Sequence, residues 1–279
     1  MTTSARTRFH GRTALVTGAG SGLGRAIALA FAAEGARVVV AGRGAAPIEE
    51  TAALIEAAGG TAAAFTADVS RAEDVTALVA HTVERFGRLD IAVNNAGVFR
   101  GGTPVADLPV EDWQTLLDIN VTGVLHALQA EIRQMRKQGD SDGTGRGDRG
   151  DRGDSASTSR GRGVIVNIAS NLGAHTRIPN VAGYLTSKAA VSALTRAAAL
   201  DHIAEGIRIN AVSPGPSESA MSLRSGETEA ERAVRMKSDS PLGRISTAAE
   251  VAAAVLYLAS DDAASVVGTD LVIDGGASA

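Results

Sequence analysis

The sequence predicts an α/β fold: a doubly wound, seven-stranded parallel sheet in a three-layer α/β/α sandwich. Three observations carry the prediction. Short apolar runs alternate with longer helix-like stretches at the spacing of βαβ units. Apolar residues make up 44% of the 279 positions, enough to bury both faces of a large sheet. Aromatics are only 3%, so the core must be Ala, Val, Leu and Ile, which suits helices packed closely on a parallel sheet.

In chain order, the first strand is expected at 13–17, where Ala14-Leu15-Val16 leads into a glycine-rich segment. A helix follows at 22–34, with Ile27, Leu29 and Phe31 among alanines. The valine run of 37–41 makes the second strand and 45–58 its helix; 61–67 and 71–86 form the next pair, and 89–94 the fourth strand. One long helix is expected over 110–137, then a strand at 164–169, a helix at 183–204 and a strand at 208–212. A helix at 248–259 precedes the last strand, 270–273. Right-handed crossovers place these helices on both faces and put ligands at the carboxyl ends of the strands.

Two segments interrupt the alternation. Residues 138–163 hold three tandem Arg-Gly-Asp triplets over 146–154 and almost no apolar side chains. Ordering them would bury nothing to offset the entropy lost, so a disordered insertion is expected, at the amino ends of the strands and away from the site. The triplets read as low-complexity filler rather than an adhesion signal. Residues 213–246 open with Pro214-Gly215-Pro216 and carry a charged helix-like piece at 227–237. They follow the sixth strand, where a substrate lid would overhang the ligand face. Residues 1–11 read as a flexible arm before a single domain, 12–279.

Composition narrows the function. A net charge of −4 provides no global basic field for nucleic acid. The absence of cysteine excludes disulfides, thiolate metal sites and a Cys nucleophile, and the five histidines show no metal-ligand spacing. No apolar run approaches the ~20 residues that span a bilayer, so no membrane partner and a cytoplasmic location are expected.

Three runs carry the chemistry: Thr17 to Gly24, Asn94-Asn95-Ala96-Gly97, and Tyr184 to Lys188. In the first, Thr17-Gly18-Ala19-Gly20-Ser21-Gly22-Leu23-Gly24, the glycines allow a tight turn between strand and helix. They let backbone approach a pyrophosphate at a helix N-terminus whose N–H groups and dipole favour anions. The tip of the second strand reads Gly42-Arg43: no carboxylate is present for ribose hydroxyls, and a guanidinium is available for a 2′-phosphate, which favours NADP(H) over NAD(H). Asp68, followed by Val69 at the end of the third strand, is placed either to touch adenine or to cap the next helix. In the last run, Tyr184 and Lys188 stand one helical turn apart on one face. An ammonium held near a phenol, whose pKa is otherwise ~10, would stabilise the phenolate and make Tyr184 an acid/base for a carbonyl or alcohol oxygen.

The chain resembles the short-chain dehydrogenase/reductase family, close to its bacterial 3-oxoacyl-carrier-protein-reductase-like branch, from about Arg12 to Gly276 apart from the insertion. The matching residues are Thr17-Gly18-x-x-x-Gly22-x-Gly24, Asp68, Asn94-Asn95-Ala96-Gly97, Asn120, Ser170, Tyr184, Lys188, Asn210, Pro214-Gly215 and Asp274-Gly275-Gly276. The resemblance implies that Asn120 supports a proton-relaying water, Ser170 hydrogen-bonds the substrate oxygen, and Asn94 to Gly97 steady the central strand beside the adenosine half of the cofactor. It also implies that Lys188 holds the nicotinamide ribose, that the loop after Pro214-Gly215 meets the nicotinamide amide, and that the protein forms a homotetramer or homodimer through its long helices. Ser170 stands fourteen residues before Tyr184, where thirteen is usual; the extra residue is assigned to 173–181, with Asn171 the alternative to Ser170. Ser219 replaces a usual Thr and keeps the hydroxyl, Ser217 stands where an aliphatic residue is usual, and Ser21 where many NADP-binding members are basic.

His175 and Arg177, in the loop before Tyr184, read either as substrate contacts or as solvated loop; Trp113, Leu116 and Leu117 read as helix core or subunit contact. The expectation is therefore an NADP(H)-dependent ketone reductase or alcohol dehydrogenase acting on a small molecule. A dinucleotide-binding regulator without turnover, and non-redox use of the cofactor in epimerisation or dehydration, are the alternatives.

Overall fold

The chain forms β1 (Thr13–Thr17), α1 (Gly22–Ala33), β2 (Arg37–Gly42), α2 (Ala45–Ala57), β3 (Thr61–Thr66), α3 (Ala72–Phe86) and β4 (Ile91–Asn94). There follow α4 (Val110–Leu117), a π-helical segment (Asp118–Thr122), α5 (Gly123–Ser141), β5 (Gly163–Ile168), the short turn α6 (Asn171–Ala174) and α7 (Ala182–His202). The chain then adds β6 (Ile207–Pro214), α8 (Glu229–Ser238), α9 (Ala248–Ala259) and β7 (Asp270–Ile273). This computed structural model describes residues 7–141, 161–217, 226–238 and 240–279.

The strands make one sheet, ordered β3-β2-β1-β4-β5-β6-β7, and each pairing is parallel. Successive side chains on a strand point to opposite faces, so each central strand feeds two cores. Val16, Val38, Val40, Val93 and Val166 pack with Ile27 and Phe31 of α1 and Val255 of α9. Leu15, Val39, Ala92, Ile165 and Ile209 pack with Leu78 of α3, Leu128 and Met135 of α5 and Val191 of α7. Each such buried aliphatic side chain contributes about 1.5–3 kcal/mol. The strand order reverses between β1 and β4, and the crevice beyond their carboxyl ends is where this topology binds ligands.

Three expectations need correction. The single helix over 110–137 is broken at Asp118–Thr122, where the helix widens by a π turn and turns Asn120 into the interior. The insertion starts later than residue 138: α5 runs on to Ser141, and buried Gln138 donates to the Leu89 carbonyl and accepts from the Leu89 N–H, tying the helix to the entry of β4. Its remaining stretch, 142–160, lies outside the described residues. Residues 7–11 are not loose: Phe9 is fully buried, 5.0 Å edge-on from Phe31, and Arg8 pairs with Glu34. In the expected lid, α8 occupies the charged stretch, while residues 218–225, including Ser219, lie outside the described residues. Among the described residues, no helix is long and apolar enough to cross a membrane, and no group of three or more His, Asp or Glu is disposed to hold a metal.

Candidate active site

At the end of β1 the chain turns through Gly18, whose φ of +64° suits glycine. A Cβ at Gly24 would lie 2.3 Å from the Gly18 carbonyl oxygen, so helix and turn can approach only because that side chain is missing. Ser21 precedes α1 in an extended conformation without a side-chain cap, and the first turn holds no acidic residue. The amide groups of Gly22, Leu23 and Gly24 thus open onto the crevice as an anion-receptive end. The residues present fit a dinucleotide pyrophosphate on these two observations: a cradle a side chain would fill, and a helix start left uncapped.

The second run braces the first. Asn95 Nδ2 donates to the carbonyls of Thr17 (3.0 Å) and Gly18 (3.1 Å), and Thr17 Oγ1 accepts from the N–H groups of Asn95 and Ala96. Gly97 is wedged in: a Cβ there would sit 3.2 Å from Asn120 Oδ1 and 3.5 Å from Lys188 Nζ.

Arg43 follows β2, exposed, and its charge reaches Asp68 across the crevice rim. Asp68 is not the N-cap of α3, which is Arg71. Its Oδ1 accepts from Ser70 N (3.0 Å) and Ser70 Oγ (2.7 Å), a local turn that fixes the carboxylate. Burial works to raise this carboxyl, but Ser70, Arg43 and Arg71 hold it below the usual range. Val69 packs against Gly123 at the start of α5.

The catalytic candidates converge from three elements. Asn120 is fully buried: Oδ1 accepts from Val98 N (2.8 Å), and Nδ2 donates to Val98 O (2.9 Å) and Ser187 Oγ (3.0 Å). Ser170 lies two residues beyond β5, caps α6 by accepting from Leu172 N, and hydrogen-bonds the Tyr184 hydroxyl. Asn171, the alternative to Ser170, instead donates to Asp274. Lys188 Nζ donates to the Ile168 carbonyl at 2.8 Å. Phe99, which the sequence did not single out, meets the Tyr184 ring edge-on at 5.0 Å.

The expected acidification of Tyr184 is reversed. Burial pushes the phenol above its ordinary value, and the Ser170 hydrogen bond opposes this only in part. Burial also brings the Lys188 ammonium down, to about 8. Both shifts have one cause: a water-poor site disfavours whichever form carries charge.

Beyond β6, Gly215 passes so near Asp274 that a Cβ would lie 2.4 Å from Asp274 Cβ, and its N–H donates to Ile273 O. Buried Ser217 bridges to Ser246. His175 meets neither expectation: its Nε2 is 3.0 Å from Asp270 Oδ2, and Asp270 Oδ1 accepts from Ser213, which ties the loop before Tyr184 to β6 and β7. Arg177 is exposed, and Leu116 is buried against Gly183.

Residues 12–144 match the family model described as short chain dehydrogenase, and residues 155–278 match that described as enoyl-(acyl carrier protein) reductase. The chain is 38% identical to a 2,5-dichloro-2,5-cyclohexadiene-1,4-diol dehydrogenase of Sphingobium indicum, over 96% of this chain and 97% of that protein. It is 35% identical to a cyclohexanol dehydrogenase of an Acinetobacter species, over 96% and 95%. Among solved structures, a gluconate 5-dehydrogenase from Burkholderia cenocepacia, in complex with NADP and tartrate, superimposes with a TM-score of 0.83 at 30% identity, covering 98% of this chain and 97% of that one.

Proposed function

Since the chain belongs to the short-chain dehydrogenase/reductase family, we propose that it is an NADP(H)-dependent oxidoreductase that interconverts a ketone and a secondary alcohol, with Tyr184 as its acid/base. The observation that carries this reading is the convergence of Ser170, Tyr184, Lys188 and Asn120 at the mouth of the crevice beside the glycine turn.

A bound nicotinamide would supply the hydride donor or acceptor. The turn from Gly18 through Ser21, Gly22, Leu23 and Gly24 would hold its pyrophosphate, and Arg43 the 2′-phosphate. Asp68, Val69 and Asn95 to Gly97 would flank the adenosine; Tyr184 and Lys188 would face the nicotinamide riboside, with Pro214, Gly215 and Ser219 beyond it. Ser170 Oγ orients the substrate oxygen beside Tyr184 Oη. A phenol that burial keeps protonated is poised to donate to that oxygen as it gains charge. The resulting phenolate is stabilised by the Lys188 cation and regains its proton from the Nζ side. Asn120 holds Val98 and Ser187 so that the Lys188 side faces the crevice.

The substrate class is a small cyclic or secondary alcohol or its ketone, in keeping with the cyclohexadienediol and cyclohexanol dehydrogenases that the chain resembles. A groove of about 250 Å³ between α5 and α7, lined by Leu125, Leu128, Ile132 and Leu194 together with charged Arg133, Arg136 and Asp201, supports assembly of a homodimer or homotetramer through these helices. The test is NADPH consumption, followed by absorbance, with cyclohexanone and a panel of ketones, alongside NADP⁺ reduction with the matching alcohols. Turnover of at least one pair is expected. Cofactor binding without turnover of any pair would favour a regulator, and product change without net cofactor use an epimerase or dehydratase.

A further inference from the structure

Beneath the crevice lies a buried carboxyl that the proposed chemistry does not use. Glu131, on α5, is 1% exposed, and Asn94 Nδ2 donates to its Oε2 at 3.1 Å. The same Nδ2 donates to Asn167 Oδ1 (3.0 Å), and Asn167 Nδ2 donates to Thr195 Oγ1 (2.9 Å) on α7. This chain joins β4, β5, α5 and α7, the elements that carry Tyr184 or adjoin Asn95, Asn120 and Ser170.

One atom in it is left over. Asn94 Oδ1 is buried and has no hydrogen-bond partner among the described residues. A buried acceptor left so keeps the cost of its lost hydration with nothing to offset it. Turning the amide over does not cure it, because the oxygen would then face the oxygens of Glu131 and Asn167. A carboxylate cannot help, since it only accepts; a neutral carboxylic acid carries one O–H to give.

We propose that Glu131 is a positioning residue whose neutral acid clamps Asn94, donating to Oδ1 while accepting from Nδ2, and that loss of this proton loosens the cofactor cradle. The path is short: Asn94 directly precedes Asn95, whose side chain holds the Thr17 and Gly18 carbonyls. Burial raises the Glu131 carboxyl to about 7, against the pull of the Asn94 hydrogen bond, so the clamp titrates near neutrality. Of the elements packed against it, β4 and β5 present the uncharged amides of Asn94 and Asn167. The ionisable groups on the surrounding elements include His126, Arg133, Arg136 and Lys137 on its own helix, Asp118 on the π segment, Glu73, Asp74, His81, Glu84 and Arg85 on α3, and Tyr184, Lys188, Arg196, Asp201 and His202 on α7.

The binding arm of the test rests on the reading that the glycine turn holds NADP(H); the spectroscopic arm does not. The dissociation constant of NADPH is measured by its fluorescence from pH 6 to 8.5 in the parent and in Glu131→Gln, whose amide stays neutral and can both donate and accept. The parent is expected to weaken by on the order of tenfold across that range, a usual size for coupling between sites. E131Q is expected to vary less by that factor and to bind at pH 8.5 as the parent does at pH 6, after any change common to both proteins, such as titration of Lys188 or of the ligand phosphate, is taken out. Infrared difference spectra of the parent without cofactor should lose a carboxylic-acid band over the same range. Equal pH profiles in parent and E131Q, a flat but weak E131Q, or no acid band titrating near neutrality would overturn the proposal. Failure to bind NADPH at any pH would refute the cofactor reading instead, and the infrared titration would still decide on Glu131, as it would if E131Q failed to fold.

Discussion

Replacing Lys188 by Met should destroy activity and, near pH 7, make the protein more stable. Burial brings the folded-state value of Lys188 from 10.5 to about 8, a difference of 2.5 units. At about 1.36 kcal/mol per unit, holding the charged amine in place costs about 3 kcal/mol relative to the neutral one. Methionine is unbranched and fills the same channel without that cost. It leaves the Ile168 carbonyl without the Nζ donor, a loss of about 1 kcal/mol. The net gain at pH 7 is about 2 kcal/mol, or roughly 4–8 °C in Tm for a domain of this size class.

The sign with pH follows from linkage. A lysine whose folded value is depressed binds fewer protons folded than unfolded between about 8 and 10.5, so the parent gains stability as pH rises through that window. By pH 9.5 it recovers about 2 kcal/mol, and the advantage of K188M vanishes. Urea unfolding of both proteins at pH 7, 8.5 and 9.5 tests this without cofactor. A stability difference that is constant across these pH values would refute the reasoning, as would a K188M protein less stable than the parent at pH 7.

Tyr184→Phe keeps the ring packed on Phe99 and removes the hydroxyl, so turnover should fall by roughly 10²–10⁴ while NADPH binding changes little; unchanged turnover would remove Tyr184 from the chemistry. Gly24→Ala forces a Cβ to within 2.3 Å of the Gly18 carbonyl oxygen, so NADPH affinity, measured by fluorescence titration, should drop at least about tenfold, with wild-type affinity counting against the cradle. Arg43→Ala removes the exposed cation after β2 and should lower the ratio of kcat/KM for NADPH over NADH by roughly tenfold or more, whereas an unaltered ratio would leave Arg43 to solvent.

Much of this protein could be read without coordinates, because its signals are local. Period and spacing reveal strands and helices, since each buried face repeats within a few residues. The parallel order follows from helices intervening between strands, and the glycine turn follows from residues that adjoin one another. What misled the reading was also local. The long run 110–137 has helical character throughout, and nothing in its pattern marks the π turn that sends Asn120 inward to grip Val98. The segment from 138 is polar enough to read as disordered, yet Gln138 closes on Leu89 by two hydrogen bonds. His175 sits in a polar loop, and its partner Asp270 lies 95 positions away.

The sequence by itself determined the fold class, the family and the residue types available to the site, because these depend on periodicity, turn chemistry and adjacent motifs. Only the tertiary structure decided how those residues are charged and braced. Burial is a property of the assembled layers, and it is burial that raises Tyr184 and Glu131 and lowers Lys188. Packing of β4 against β5 and α5 is what brings Asn94, Asn167 and Glu131 together across 73 and 37 positions of chain, distances over which a linear pattern carries no trace of contact.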